Sequence, residues 1–459
     1  MAKKPRRTFF KLMILLAIVG VVFVALAAFR AGPEPTITIT SDLPAIGKKT
    51  LITIELAEHK RGLSKVGVEF VQGDRVELLE SMDFVPRPPW VFWGPYTPTH
   101  QLSVAVGREV LQGLKEGEAT IRVTADRTGA YLRFPEPTVR EMTMQVKLRP
   151  PQLQVLSRQT YVAQGGCEAI VYRVGASAIR DGVQAGDWWF PGFPLPGGDP
   201  QERFALFSLP YDMSDPDQVN LLAFDDVDNQ SRMSFIDKVF PKPVKRDTIR
   251  IDDAFMSRVV PAIIEQTPEL TDKGDLLANY LLINNTLRKQ NADELIRLSR
   301  ESTPEFLWTR RFLPMKNAQV TSAFADRRTY VYQGNKVDQQ DHLGFDLAST
   351  RRAEVQAAND GTVVLARYFG IYGNAVVIDH GYGLFSLYGH LSQIDVGERQ
   401  QVSRGEILGR TGRTGLAGGD HLHFTVLLQG LAVNPTEWWD EHWIRDRLEL
   451  KLGDALPFE

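Results

Sequence analysis

The chain of 459 residues has a single cysteine, Cys167, so no intramolecular disulfide can form and stability has to come from packed cores. No cysteine follows the N-terminal apolar run, which excludes a lipid-modified cysteine there. Excess charge of one sign is lacking as well. The 53 Lys+Arg nearly balance 56 Asp+Glu, which removes a global electrostatic case for a nucleic-acid partner. A sharply periodic repeat is absent. No lysine sits in the Asp360-Gly361 turn, where a biotinyl or lipoyl carrier domain would need one. What remains is a chain with 43% apolar residues, enough for roughly two to four globular units.

Charge matters locally at the start. Lys3, Lys4, Arg6, Arg7 and Lys11 precede an apolar run from Leu12 to Phe29. A run of about 18 such residues is at the lower limit for spanning a bilayer, and its basic N-terminal flank puts the rest of the chain outside the cytoplasm. The favoured reading is a retained single-pass anchor. The alternative is a signal peptide processed near Ala25-Leu26-Ala27. Arg6-Arg7-Thr8-Phe9-Phe10-Lys11 also resembles a twin-arginine export signal, against which its very apolar continuation argues.

Beyond Gly32-Pro33, runs such as Ile37-Thr38-Ile39-Thr40, Leu51 to Leu56 and Thr120 to Thr124 alternate apolar and polar side chains, the pattern of half-buried strands. The spacing predicts an antiparallel sandwich of immunoglobulin size up to Pro150-Pro151. A second β-rich unit follows, from Leu153 to about 245. It contains Trp188-Trp189-Phe190 and the Pro/Gly-rich stretch 191–200, which reads as a long ordered loop. These aromatics suit a sandwich core or a domain contact better than a sugar platform. Helical spacing appears at Leu276, Leu277, Tyr280, Leu281 and Leu287, and Asn291 to Glu294 resembles a capping box opening a further helix. From Val320 to Trp438, short strands punctuated by glycine resume. The segment between Arg327 and His342 reads as a loop forming one wall of a groove.

Three fragments in this last stretch carry chemistry: His342-Leu343-Gly344-Phe345-Asp346, Tyr388-Gly389-His390-Leu391-Ser392 and His421-Leu422-His423-Phe424. On a strand, residues i and i+2 share a face, so His421 and His423 project together. One can ligate a metal while the other addresses what the metal holds; the spacing does not say which. His342 and Asp346 add a nitrogen and an oxygen donor that suit zinc. Two histidines and a carboxylate leave one tetrahedral position for water, as a catalytic site requires. Zinc there lowers the pKa of bound water to about 7 and polarises a carbonyl. The imidazoles left free, with an intrinsic pKa near 6.5, can shuttle its proton. His380 precedes a glycine turn and reads as structural, while His59, His100 and His442 are assigned nothing. The set also matches part of an iron facial triad, but no glutamate follows the His-x-His closely.

His-x-x-x-Asp, then Tyr-x-His-Leu-Ser, then His-x-His-Phe resembles the lysostaphin and LytM family of zinc metallopeptidases. The likeness extends to Val320-Thr321-Ser322-Ala323-Phe324, to Gly373 through His380 and to Gly405 through Gly412. Where the family has a Phe-Gly-x-Arg segment, this chain has Phe324-Ala325-Asp326-Arg327. The resemblance implies that His342, Asp346 and His423 bind one zinc ion per chain and that His390 and His421 are the catalytic imidazoles. It also implies hydrolysis of stem-peptide cross-links or cross-bridges in bacterial peptidoglycan. The alternative is a catalytically silent relative that activates other wall hydrolases, against which the five filled positions argue.

The expected fold class is multidomain and mainly β. Its parts are a cytoplasmic tail (1–11), a transmembrane helix or signal peptide (12–29), two Ig-like β-sandwich units (33–149 and 152–245), a helical connector (250–312), an antiparallel β zinc peptidase domain (313–440) and a C-terminal tail (441–459). The expected location is the inner membrane of a diderm host, with the catalytic domain periplasmic. The sandwiches would act as spacers or bind a cell-envelope protein.

Overall fold

A computed structural model describes residues 5–458; Lys3 and Lys4, part of the expected tail, lie outside the described residues. The chain is mainly β and begins with one apolar helix, Pro5–Phe29. Its stretch Thr8–Phe29 is long and apolar enough to cross a membrane.

The chain divides into two compact units. The first comprises residues 1–150 with 224–230. Beyond the helix it holds a three-stranded sheet in the order Thr36–Ser41, Thr50–Ala57, Thr99–Val106 and a four-stranded sheet in the order Arg75–Asp83, Lys65–Gln72, Gly117–Ala125, Thr138–Val146. Alternation decides which faces are buried: Ile52 and Ile54 from one sheet and Val68, Phe70, Ile121 and Val123 from the other are fully buried in one cluster.

The second unit comprises residues 151–223 and 231–459. One apolar cluster runs through it, from Val162 to Leu456. Its first part contains two four-stranded sheets. Trp188–Pro191 is a strand paired with Arg180–Ala185, not a loop. The period-2 pattern is hidden there because neighbouring large aromatics mask the alternation, although Phe190 alone is wholly buried.

Helices follow at Asp253–Glu265, Leu276–Leu282 and Arg288–Ser299. Asp252 and Asp275 cap the first two by accepting the N–H of Phe255 and Ala278. Asn291 does not open a helix. A π-turn at Ile283–Leu287 carries the chain directly from Leu282 into Arg288, so Asn291 lies inside the last helix and its Oδ1 accepts the N–H of Ile371 at 3.0 Å. Val260, Ile263, Tyr280, Ile283 and Leu287 pack with Tyr330 and Ile371.

The expected loop between Arg327 and His342 is a hairpin of Asp326–Tyr332 with Asn335–His342, and the first of these pairs in parallel with Arg246–Ile251. Its turn places Gln333 at φ 48° and Gly334 at φ 85°, the positive-φ pair that matches strand twist in a two-residue connection.

The largest sheet orders Gln319–Ser322, Phe345–Ala348, Leu422–Leu428, Leu384–Leu391, Asn374–Asp379, Gly361–Tyr368 and Gln401–Val402, with Leu431–Val433 added beside Leu422–Leu428. Its central strands are buried along their whole length.

Candidate metal centre

Register brings the fragments together. Asp346 pairs with His423, and His423 with Gly389, so three neighbouring strands place Asp346, His423 and the residue before His390 side by side. His342 ends the adjoining hairpin strand, paired with Asp326. One cavity is lined by all five expected site residues, His342, Asp346, His390, His421 and His423.

Three atoms converge. His342 Nε2 stands 3.0 Å from Asp346 Oδ1 and 3.2 Å from His423 Nδ1, which is itself 3.1 Å from Asp346 Oδ1. Tetrahedral bonds of about 2.0–2.1 Å would separate zinc ligands by about 3.3 Å. The hydrogen-bond network says which of these nitrogens carry protons. His342 Nδ1 faces the carbonyl of Ala323 at 3.0 Å and so donates to it. Thr425 Oγ1 gives its proton to the carbonyl of Leu343 and therefore accepts from His423 Nε2 at 3.0 Å. Both converging nitrogens then present lone pairs to a carboxylate. Three acceptors with no proton between them fit a bound cation, and two imidazoles with one carboxylate suit zinc. Asp346 Oδ2 accepts from Arg328 Nη2 at 2.7 Å.

Burial alone would raise the Asp346 pKa, but in the absence of a cation hydrogen bonds from His342, His421 and His423, whenever these rings carry a proton toward it, hold it well below the usual carboxylate range. Burial pushes His423 down to about 4, which keeps the ring neutral as a ligand requires.

The two remaining imidazoles lie beside one another, ring centroids 4.8 Å apart. His390 Nδ1 donates to the carbonyl of Thr414 at 2.9 Å and His421 Nδ1 to that of Gly419 at 3.0 Å, which leaves each Nε2 for other work. Burial, with His421 and His423 nearby, drives His390 well below the ordinary histidine value. Burial would lower His421 too, but Asp346, 3.4 Å from its Nε2, outweighs that and raises it. His390 adopts φ 64°, a conformation costing of order 1–3 kcal/mol outside glycine and found where a site over-determines the backbone.

Some contributors are silent in the sequence. A Cβ on Gly344 would come within 2.6 Å of Thr425 Oγ1 and 2.7 Å of the His423 ring, so the middle residue of His-Leu-Gly-Phe-Asp has to be glycine. Ala325, where the resembling family has glycine, sits at φ 66°. Asp326 braces this turn, its Oδ2 accepting from Ala323 N and Ser322 Oγ. His380 is buried in the core, with Nδ1 on the Asp360 carbonyl and Nε2 on Ser386 Oγ, away from the triad.

Comparison with known proteins finds likeness over the stretch that holds these residues. Residues 340–435 match the family described as Peptidase family M23. The peptidoglycan DD-endopeptidase ShyA of Vibrio cholerae is 31% identical over 169 residues, covering 37% of this chain and 36% of that protein. The DD-carboxypeptidase/endopeptidase Mpg of Neisseria meningitidis serogroup B is 40% identical over 94 residues, 20% of this chain and 22% of that one. The murein hydrolase activator EnvC of Escherichia coli is 38% identical over 95 residues, 21% and 23% of the two chains. The matched regions thus span only 22% to 36% of these relatives' lengths.

Proposed function

With a C-terminal domain that belongs to peptidase family M23, of the lysostaphin and LytM type, as the premise, we propose that this protein is a zinc endopeptidase that hydrolyses peptide cross-links of peptidoglycan. The observation that carries the proposal is the convergence of His342 Nε2, Asp346 Oδ1 and His423 Nδ1, each with its outer atom already engaged. Zinc bound there would supply Lewis acidity toward a water and a scissile carbonyl.

The chain's own residues do the rest. His390 is the base, because burial keeps its ring neutral and Thr414 fixes the tautomer whose Nε2 accepts a proton. His421, whose protonated form Asp346 favours, donates to the developing oxyanion and then to the leaving amine. Tyr372, its ring 5.4 Å from that of His423, packs beside this ligand. The apolar helix Thr8–Phe29 supports a tether to the membrane with the peptidase periplasmic, and export followed by cleavage is its alternative.

Incubating the whole zinc-loaded protein with peptidoglycan of known cross-link chemistry, then identifying new amine ends by mass spectrometry, tests the proposal. Loss of cross-linked pairs and appearance of separate stem peptides bearing new amine ends is expected. Likeness to EnvC favours a second reading, a silent activator of other wall hydrolases. Zinc binding without any cleavage would establish that reading instead.

A further inference from the structure

The cavity beside the triad is lopsided in charge. Besides the five site residues, Arg288, Arg328, Ile371, Tyr372, Leu416 and Gly418 line it, and Asp346 is its one carboxylate among the described residues. That carboxylate is already committed, Oδ1 to the imidazoles and Oδ2 to Arg328. One negative charge therefore faces two permanently charged guanidiniums. A divalent ion on the triad would add to the excess.

Each arginine keeps donor capacity in reserve. Arg328 Nε is buried without a hydrogen-bond partner, an unmet need that an acceptor on a bound ligand would fill. Arg288 spends Nε and Nη2 on Asn284 one turn back, at 3.1 and 2.6 Å, which fixes the side chain along its helix. That helix is no loose flap. Ile283 and Leu287, on the turn leading into Arg288, are buried against Tyr330 and Ile371. Nearby acids are engaged elsewhere: Asp338 Oδ2 accepts from Asn284 and Asn285.

We propose that Arg288 and Arg328 form a carboxylate-reading subsite, so that the groove takes peptides in which the carbon bearing the scissile amide nitrogen also carries a free carboxylate. The proposal rests on the peptidase reading and narrows it. Two wall structures share this chemistry: the free D-alanyl-D-alanine end of an uncross-linked stem, and a direct cross-link through an amine next to its own carboxylate. Glycine bridges and links through a lysine ε-amine do not, because the carbon after their scissile nitrogen carries an amide or no carbonyl group. Planar guanidiniums bind carboxylates in a forked, charge-assisted geometry that a neutral amide cannot reproduce.

The test is calorimetric titration of N-acetyl-D-alanyl-D-alanine and of its C-terminal carboxamide into the whole protein, metal-free and zinc-loaded. The acid is expected to bind at least about tenfold more tightly than the amide in both forms. Arg288→Gln should remove most of that preference while leaving zinc content and amide binding unchanged, and Arg288→Lys should restore part of it. Equal binding of acid and amide by the unaltered protein would overturn the subsite, whether or not the variants fold. So would Arg288→Gln weakening both ligands alike, or speeding cleavage of every wall substrate, which would make Arg288 a plug. Comparing KM for a pentapeptide stem with KM for a directly cross-linked dimer separates the two sources, each expected to rise in Arg288→Gln if used. Discrimination between acid and amide by a protein that cuts no wall material would retain the subsite and reject the peptidase.

Discussion

Asp346 and His423 are direct register partners on neighbouring strands, and their facing atoms Oδ1 and Nδ1 stand 3.1 Å apart. Sheet pairing itself therefore sets the spacing of two candidate ligand atoms, and rigid strands hold it better than loops would. Nearly buried His390 and His421 lie beside this pair without belonging to it.

The division of labour predicts two classes of variant. His342→Ala, Asp346→Ala and His423→Ala should lose zinc and cleavage together, measured by metal content of the purified protein and by fragment release. His390→Ala and His421→Ala should keep zinc and lose cleavage by about 10²–10⁴-fold. Full activity in either of the last two would refute the proton-transfer role given to it.

The carbonyl of Leu343 and the hydroxyl of Thr425 decide which His423 nitrogen is free. Thr425→Val keeps the shape and removes both hydrogen bonds. Zinc affinity should fall about 10–100-fold, the range for losing an outer partner of a ligand, while near-UV circular dichroism stays unchanged. Unaltered affinity in a competition titration with a chelator would show that the tautomer is fixed by other means.

Gly344 approaches the same ring from the other side. In Gly344→Ala the new methyl would lie 2.6 Å from Thr425 Oγ1 and 2.7 Å from the His423 ring, so the ring must move. Loss of zinc at a free concentration that saturates the wild type is expected, and wild-type occupancy would mean that the strands yield instead.

These examples mark how far the sequence is readable. The candidate donor set is legible because zinc chemistry restricts ligands to a few residue types, and two short fragments, His342 to Asp346 and His421 to Phe424, supply them. Alternation likewise exposes the strands Thr50–Ala57 and Gly117–Ala125. The hairpin ending at His342 escapes the same reading because Lys336 to Gln340 is largely polar, and pairing with Asp326–Tyr332 overrides that weak local signal. Asn291 and Glu294 have the spacing of a cap, yet the π-turn at Ile283–Leu287 keeps the helix going, and the Asn291 amide serves the Ile371 loop instead. The Ala323 carbonyl and Thr425 have no sequence signature, since their roles exist only once strands far apart in the chain have paired.

A last prediction concerns pH and the histidine that stays out of the site. His380 is fully buried with both ring nitrogens in hydrogen bonds, Nδ1 to the Asp360 carbonyl and Nε2 with Ser386 Oγ, and burial depresses its pKa to about 4. The unfolded chain, with a value near 6.5, takes up a proton first as pH falls. The stability that neutral His380 contributes is thus complete above pH 6.5 and is lost as pH drops toward 4. A gap of this size amounts to about 3 kcal/mol. His380→Gln retains a hydrogen-bonding group that cannot titrate, so urea unfolding followed by tryptophan fluorescence should show the wild type losing stability more steeply than the variant between pH 6.5 and 4. Other buried acids contribute equally to both proteins, so the difference between the two curves isolates His380. Parallel curves would mean that the ring is protonated in the folded core and that Asp360 and Ser386 hold it as a cation.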